Sequence, residues 1–375
     1  VVVYTGHHDP SRCFPATVDG RVKVRVRGSW VPRSLCGLAH IVCASVQNVV
    51  TALAVVRSED AFDVVVCDQV ATGVPLLRLL ARSAKVVFYV HFPDKLLAPR
   101  GSLLRRLYRW PFDWLEEATT RCAHLLVANS KFTAETFARE FPSIRATPAV
   151  LHPAIALPAA PPPERTSSVP FVLSLNRYER KKRIDFAVDA VQRLAGHVRL
   201  IVAGGYDERV PENVEHFQEL NERAGGRVTF ERSVSDDRRL ELLSNALCLL
   251  YTPPFEHFGI VPIEAMALGC PVIAVNSGGP LETVRDGETG FLVEPTPQAF
   301  ADKVQKLLDD PALRPRLSHQ ARDHVARHFS NSAFADRFDR LLTDLVSSSS
   351  SSSLNRRRPQ EDDSSSSSEH RPHRS

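Results

Sequence analysis

The 375-residue chain has little of what would mark it as secreted, metal-stapled or built to grip nucleic acid. Its seven cysteines (Cys13, Cys36, Cys43, Cys67, Cys122, Cys248 and Cys270) are odd in number, widely spaced and include no C-x-x-C pair. That pattern argues against a disulfide framework or a zinc knuckle and for a reducing, cytosol-facing compartment. The absence of any N-x-[ST] acceptor agrees. A formal charge of +4 with scattered Lys and Arg leaves no continuous basic stripe, which excludes nucleic acid as the expected partner and suits a local anionic ligand. The longest apolar run, Leu35 to Val56, is interrupted by His40, Ser45, Gln47 and Asn48, so it reads as a core helix before a membrane span. No initiator methionine or signal-peptide pattern precedes "VVVYTG", which reads as a strand already under way.

What is present is a hydrophobic content of 43%, ample for two packed cores. Short β-branched runs followed by amphipathic stretches recur along the chain, the pattern of parallel sheets with crossover helices. In residues 1–152 the strands read "VVVYT", "VKVRV", "DVVVC", "KVVFYV", "HLLVAN" and "AVLH". Residues 153–170, "PAIALPAAPPPERTSSVP", hold too many prolines for a helix or central strand and read as a linker. A second α/β domain spans 171–328 with "FVLSLN", "VRLIVAGG", "RVTFE", "LCLLYT", "PVIAV" and "GFLVE", followed by a terminal helix over 329–346. From 347 to 375 the serine runs predict disorder, because so polar a composition cannot offset its ordering entropy. Two Rossmann-like domains would then face each other across a cleft, with ligands at the carboxyl ends of both sheets.

The residues that could carry chemistry fall at those ends. Arg177, Lys181 and Lys182 in "LNRYERKKR" follow the first strand of the second domain, where a forked guanidinium and compact ammonium groups suit a diphosphate. The alternative is a solvated basic loop. In "EHFGIVPIE", Pro262 suits a first helical turn and Gly269 a stop, predicting a helix from about Ile260 to Leu268. The N–H groups of Gly259, Ile260 and Val261 would then offer a phosphate site, with Glu264 reaching toward a ribose hydroxyl. Glu256 precedes the helix, so it does not stack with Glu264; in a continuous helix they would lie about 12 Å apart, outside the usual separation of a glycosidase pair. His91, ending "VVFYVH", could hydrogen-bond a reacting sugar or cap the next turn, whereas Ser130 reads as an N-cap. "GHHDPSRC" lacks the spacing of a metal site. Residues 102–122 combine Arg105, Arg106 and Arg109 with Leu103, Leu104, Leu107, Trp110 and Trp114. They predict either a helix lying on an anionic membrane or one whose leucines pack on the sheet while its arginines are solvated.

Together these motifs resemble the GT-B retaining glycosyltransferases of family 4. "VHFPDKLL", "PFDWLEE", "NSKFTA", "VAGGYDERVPENVEH", "EHFGIVPIEAM" and "PVIAVNSGGPLE" look like the α-1,3/1,6-mannosyltransferases of dolichol-linked oligosaccharide assembly, over about Val1 to Val346. The resemblance implies GDP-mannose as donor and a mannosyl-chitobiosyl diphosphodolichol as acceptor, on the cytosolic face of the endoplasmic reticulum membrane. Other mannosyltransferases of the pathway are further implied partners. It also implies that Arg177 and Lys182 neutralise the leaving diphosphate, so that neither a metal nor another cofactor is required. Glu256 and His91 would hold the mannose, Gly259 to Val261 the phosphates and Glu264 the ribose. A family member should begin with another strand and a glycine-rich loop. The first domain is accordingly expected to lack its N-terminal strand and helix, which motivates a binding-only scaffold as the alternative function.

Overall fold

The computed structural model of the chain describes residues 1–355 except 12, 36–38, 98–100, 102, 159–169 and 197, with 348–355 as backbone alone. Most of the expected linker at 153–170 therefore lies outside the described residues. In the N-terminal half, β1 (Val2–Thr5) and β2 (Lys23–Val26) form a parallel pair, while β3 (Val64–Asp68), β4 (Lys85–Val90), β5 (Leu125–Ala128) and β6 (Ala149–Val150) form a separate parallel sheet in that order. The helices between them are α1 (His40–Val56), α2 (Val74–Leu80), α3 (Asp94–Leu97), α4 (Leu103–Thr120) and α5 (Lys131–Glu140). Side chains alternate along β4: Val86, Phe88 and Val90 pack with Val74, Leu77 and Phe137, whereas Val87 joins Val127 and Leu151 on the opposite face. Burial on both faces is what a parallel sheet requires.

The C-terminal half contains β7 (Phe171–Leu175), β8 (Arg199–Gly204), β9 (Val228–Arg232), β10 (Leu249–Tyr251), β11 (Val272–Val275) and β12 (Gly290–Val293). Its sheet order is β12-β11-β10-β7-β8-β9, all parallel. The order reverses between β7 and β10, and the crevice at such a switch point lies beyond the carboxyl ends of the strands. Around the sheet run α6 (Ile184–Arg193), α7 (Pro211–Arg223), α8 (Asp236–Asn245), α9 (Ile260–Ala267), α10 (Pro280–Thr283), α11 (Pro297–Asp309) and α12 (Leu313–His328). β7 is buried along its whole length, as its central position demands.

The last helix, α13 (Asn331–Asn355), returns to the first domain. Its stripe of Phe334, Phe338, Leu341, Leu342 and Leu345 packs against Val87, Val127 and Leu151, a helical spacing that gives one continuous apolar face. Residues 347–355 were expected to be disordered but continue this helix, while 356–375 lie outside the described residues. Serine costs only about 0.5 kcal/mol per helical position relative to alanine, and extending a packed helix avoids the nucleation penalty.

Of the two sequence readings of α4, the core-packed helix with all its arginines solvated does not survive. Leu103, Leu104, Leu107, Trp110 and Trp114 are exposed, and Arg109 is buried, with Nη2 2.8 Å from Asp94 and 3.1 Å from Asp113. Two carboxylates offset the desolvation of one guanidinium, and this inward anchor turns the apolar side outward. Among the described residues no helix is long and apolar enough to cross a membrane.

Candidate active site

The loop from β10 into α9 is shaped by glycine. Gly259 is the N-cap of α9 with φ +82°, a conformation that favours glycine. Two further glycines pack against this loop's main chain: a Cβ at Gly278 would lie 2.5 Å from the carbonyl oxygen of Glu256, and one at Gly279 would lie 2.2 Å from that of Phe258. The Gly279 N–H donates to the Glu256 carbonyl at 2.7 Å. Pro262 occupies the first turn and Gly269, at φ +71°, follows the helix end. The amides of Ile260 and Val261 therefore fall in the first turn of α9, where a helix provides no intrahelical acceptor.

The charged candidates sort into separate pairs. Lys182 is buried, and its Nζ lies 2.5 Å from Oε2 of Glu256; its carbonyl accepts from Thr252 Oγ1 at 2.7 Å, tying the β7 and β10 loops together. Arg177 is largely exposed and pairs with Glu179 at 2.9 Å, which also takes Lys181 at 3.0 Å. Glu264 pairs with Arg239 of α8 at 2.5 Å, and Arg239 also reaches Asp236 at 3.2 Å. Glu256 and Glu264 thus each have their own cation. Glu179 and Arg239 escaped the sequence reading: Glu179 sat unremarked inside the basic run, and nothing in "DDRRLELL" shows which arginine faces α9.

On the opposite domain His91 directly follows β4, and its Nε2 lies 2.7 Å from Oδ1 of Asp68 at the end of β3. The hydrogen bond to Asp68 raises the imidazole above its ordinary value, against partial burial. Asn129 Nδ2 donates to the His91 carbonyl at 2.9 Å, fixing the strand end. Ser130 is the N-cap of α5, accepting from the Thr133 N–H at 2.9 Å, and its hydroxyl also donates to the carbonyl of His257 at 2.5 Å. Phe92 stacks on His257 with ring centroids 3.6 Å apart and planes within 8°. Burial holds the His257 imidazole below its ordinary value. His91 and Glu256 are the chain neighbours of this stacked pair, so the two half-sites meet there. Beside them a cavity of about 890 Å³ runs into the first domain, lined by His40, Gln69, His91, Tyr108 and Glu116 among others.

Among the described residues no three His, Cys, Asp or Glu side chains are arranged to hold a metal, and His8 Nε2 instead lies 3.1 Å from Thr17 Oγ1. The described cysteines are free.

Comparison with known proteins fits this geometry. Residues 1–157 match the family model described as Glycosyltransferase Family 4, and residues 161–324 that described as Glycosyl transferases group 1. The chain is 45% identical to the alpha-1,3/1,6-mannosyltransferase ALG2 of Homo sapiens, covering 92% of this chain and 89% of that protein. It is 39% identical to the protein of the same name from Dictyostelium discoideum, covering 92% and 90%. In fold it resembles the crystal structure of Anabaena HepE in complex with UDP, with a TM-score of 0.67, 19% identity and 92% of each chain covered. The relatives are named as transferases, which does not favour a binding-only scaffold. With its paired Rossmann-like domains on the GT-B plan, the chain belongs to the family of alpha-1,3/1,6-mannosyltransferases.

Proposed function

We propose that this mannosyltransferase takes mannose from GDP-mannose and adds it, with α-1,3 and α-1,6 linkages, to a mannosyl-chitobiosyl diphosphodolichol in N-glycan precursor synthesis. The observation that carries the reading is the meeting of the Lys182–Glu256 pair with the amino end of α9, across a stacked Phe92–His257 contact from His91. Arg177, Lys182 and the amides of Ile260 and Val261 supply positive charge where a leaving diphosphate gains negative charge. These groups perform the neutralisation that a divalent cation performs elsewhere, so the reaction as proposed has no metal or cofactor step.

Glu264, oriented by Arg239, takes the ribose hydroxyls, and Glu256 and His91 hold the mannose from two sides. The anomeric carbon–phosphate oxygen bond breaks while the acceptor hydroxyl forms a new bond on the same face. Its proton passes to the departing phosphate, which accounts for retention without a carboxylate nucleophile. The cavity beside His91 offers the acceptor a place in the first domain.

The exposed Leu103, Leu104, Leu107, Trp110 and Trp114 of α4, beside exposed Arg105 and Arg106, suit the anionic cytosolic leaflet of the endoplasmic reticulum, where the acceptor lipid resides. Incubation with GDP-mannose and a synthetic mannosyl-chitobiosyl lipid should give products carrying one and two added mannoses. Absence of either product would refute the transfer reading. Flotation with phosphatidylserine vesicles checks the membrane reading: Trp110→Ser with Trp114→Ser should reduce recovery severalfold, and unchanged recovery contradicts it.

A further inference from the structure

The residues proposed to act on the sugar come from two domains, so their mutual placement depends on whatever holds those domains in register. Glu282 of α10 reaches from the second domain to the first. Its Oε2 accepts from the backbone N–H of Lys131 at 2.8 Å, and its Oε1 from that of Phe132 at 2.9 Å. Nε2 of His152 lies 2.9 Å from the same Oε2. Lys131 and Phe132 open α5, where the first amides have no intrahelical partner and the helix end is positive. A carboxylate with both oxygens used, and its side chain 10% exposed, satisfies that end.

His152 follows β6, where the chain leaves the first domain. Its ring lies against Phe258 at 5.6 Å, with planes 17° apart, and against Phe329 at 5.6 Å. Phe258 is two residues from Glu256 and adjoins Gly259. One residue before α5, Ser130 binds the carbonyl of His257. Burial opposes the charge on Glu282, but the hydrogen bonds from His152, Lys131 and Phe132 outweigh it and hold the carboxyl below the ordinary glutamate value.

We propose that Glu282 is a positioning residue for transfer: by capping α5 and binding His152 it fixes the donor half-site in register with His91. This rests on the reading that mannose is transferred across this cleft. Arg177, Lys182, Gly259 to Val261 and Glu264, the groups proposed to hold GDP, all belong to the second domain, so GDP binding does not require the register, whereas transfer, which also needs His91, does.

The test measures steady-state transfer and GDP binding by calorimetry on the full chain. Glu282→Gln places an amide N–H group against one of two backbone donors; kcat should fall at least tenfold while the Kd for GDP stays within threefold. His152→Ala, which removes one of the bonds, should lower kcat less, with the same unchanged Kd. Wild-type kcat in Glu282→Gln, or a Kd that weakens in proportion to the lost rate, overturns the assignment. Should Glu282→Gln fail to fold, His152→Ala decides: a fall in kcat with intact GDP binding supports the assignment, and unchanged kcat overturns it. An inactive wild-type chain would instead refute the transfer reading itself.

Discussion

Gly279→Ala asks whether close backbone packing keeps the loop proposed to hold the sugar at its working position. The added Cβ would lie 2.2 Å from the Phe258 carbonyl oxygen and 2.4 Å from its carbonyl carbon and Cα, whereas real Cβ atoms essentially never approach below 3.0 Å. The two backbones must therefore separate by about 0.8 Å or more. Because the obstacle is main chain, no change of rotamer relieves it. At φ −56° the conformation at Gly279 itself suits alanine, so the strain comes from approach alone. The same movement stretches the 2.7 Å bond from the Gly279 N–H to the Glu256 carbonyl toward the limit of hydrogen bonding. A shift of about 1 Å at a reacting group can cost about 100-fold in rate, or about 2.7 kcal/mol of barrier. Steady-state transfer at saturating GDP-mannose should show kcat reduced by that order, with circular dichroism confirming a folded protein. Gly225→Ala, where a Cβ meets nothing within 4 Å, should leave kcat unchanged. A Gly279→Ala enzyme within twofold of wild type, or an equal loss in Gly225→Ala, would refute the reasoning.

Further predictions concern the paired charges and a buried histidine. Arg239→Met should raise the KM for GDP-mannose severalfold with kcat little changed, because Glu264 loses the partner that orients it; full additivity with Glu264→Ala would contradict this coupling. Glu256→Ala should slow transfer more than it weakens GDP binding, and Glu264→Ala the reverse, as read by kcat and calorimetry. His324 is buried, and burial, with Arg285 and His328 nearby, holds its imidazole down at about 4 from the ordinary 6.5. The unfolded chain takes up this proton first, so stability is full above pH 6.5 and falls as pH drops toward about 4. The slope reaches about 1.4 kcal/mol per pH unit. His324→Leu should flatten the melting-temperature profile in that window, and an unchanged acid slope would exclude this cause.

Much of the fold was legible because parallel sheets leave a local signature. The runs read as strands in each half appear as β1–β6 and β7–β12, and the helix start at Ile260 follows from Gly259, Pro262 and Gly269 within a dozen residues. Ser130 caps the helix expected of it. The core-packed reading of α4 failed because amphipathic spacing defines two faces without saying which one finds a partner; the Asp94 and Asp113 carboxylates decided it by drawing Arg109 inward. The serine run misled because composition weighs ordering entropy residue by residue, whereas α13 is already nucleated by its contact with β4 and β5.

The sequence by itself determined the parallel α/β elements, the starts of α5 and α9 and the kinds of group gathered at the sheet edges, since each depends on side chains a few residues apart. Only the tertiary structure decided which of those groups meet. Lys182 with Glu256, Arg239 with Glu264, Phe92 with His257 and Glu282 with the start of α5 are joined across 74, 25, 165 and about 150 residues of chain. Such pairings arise from strand order and from the seating of one domain on the other, and no local periodicity encodes them.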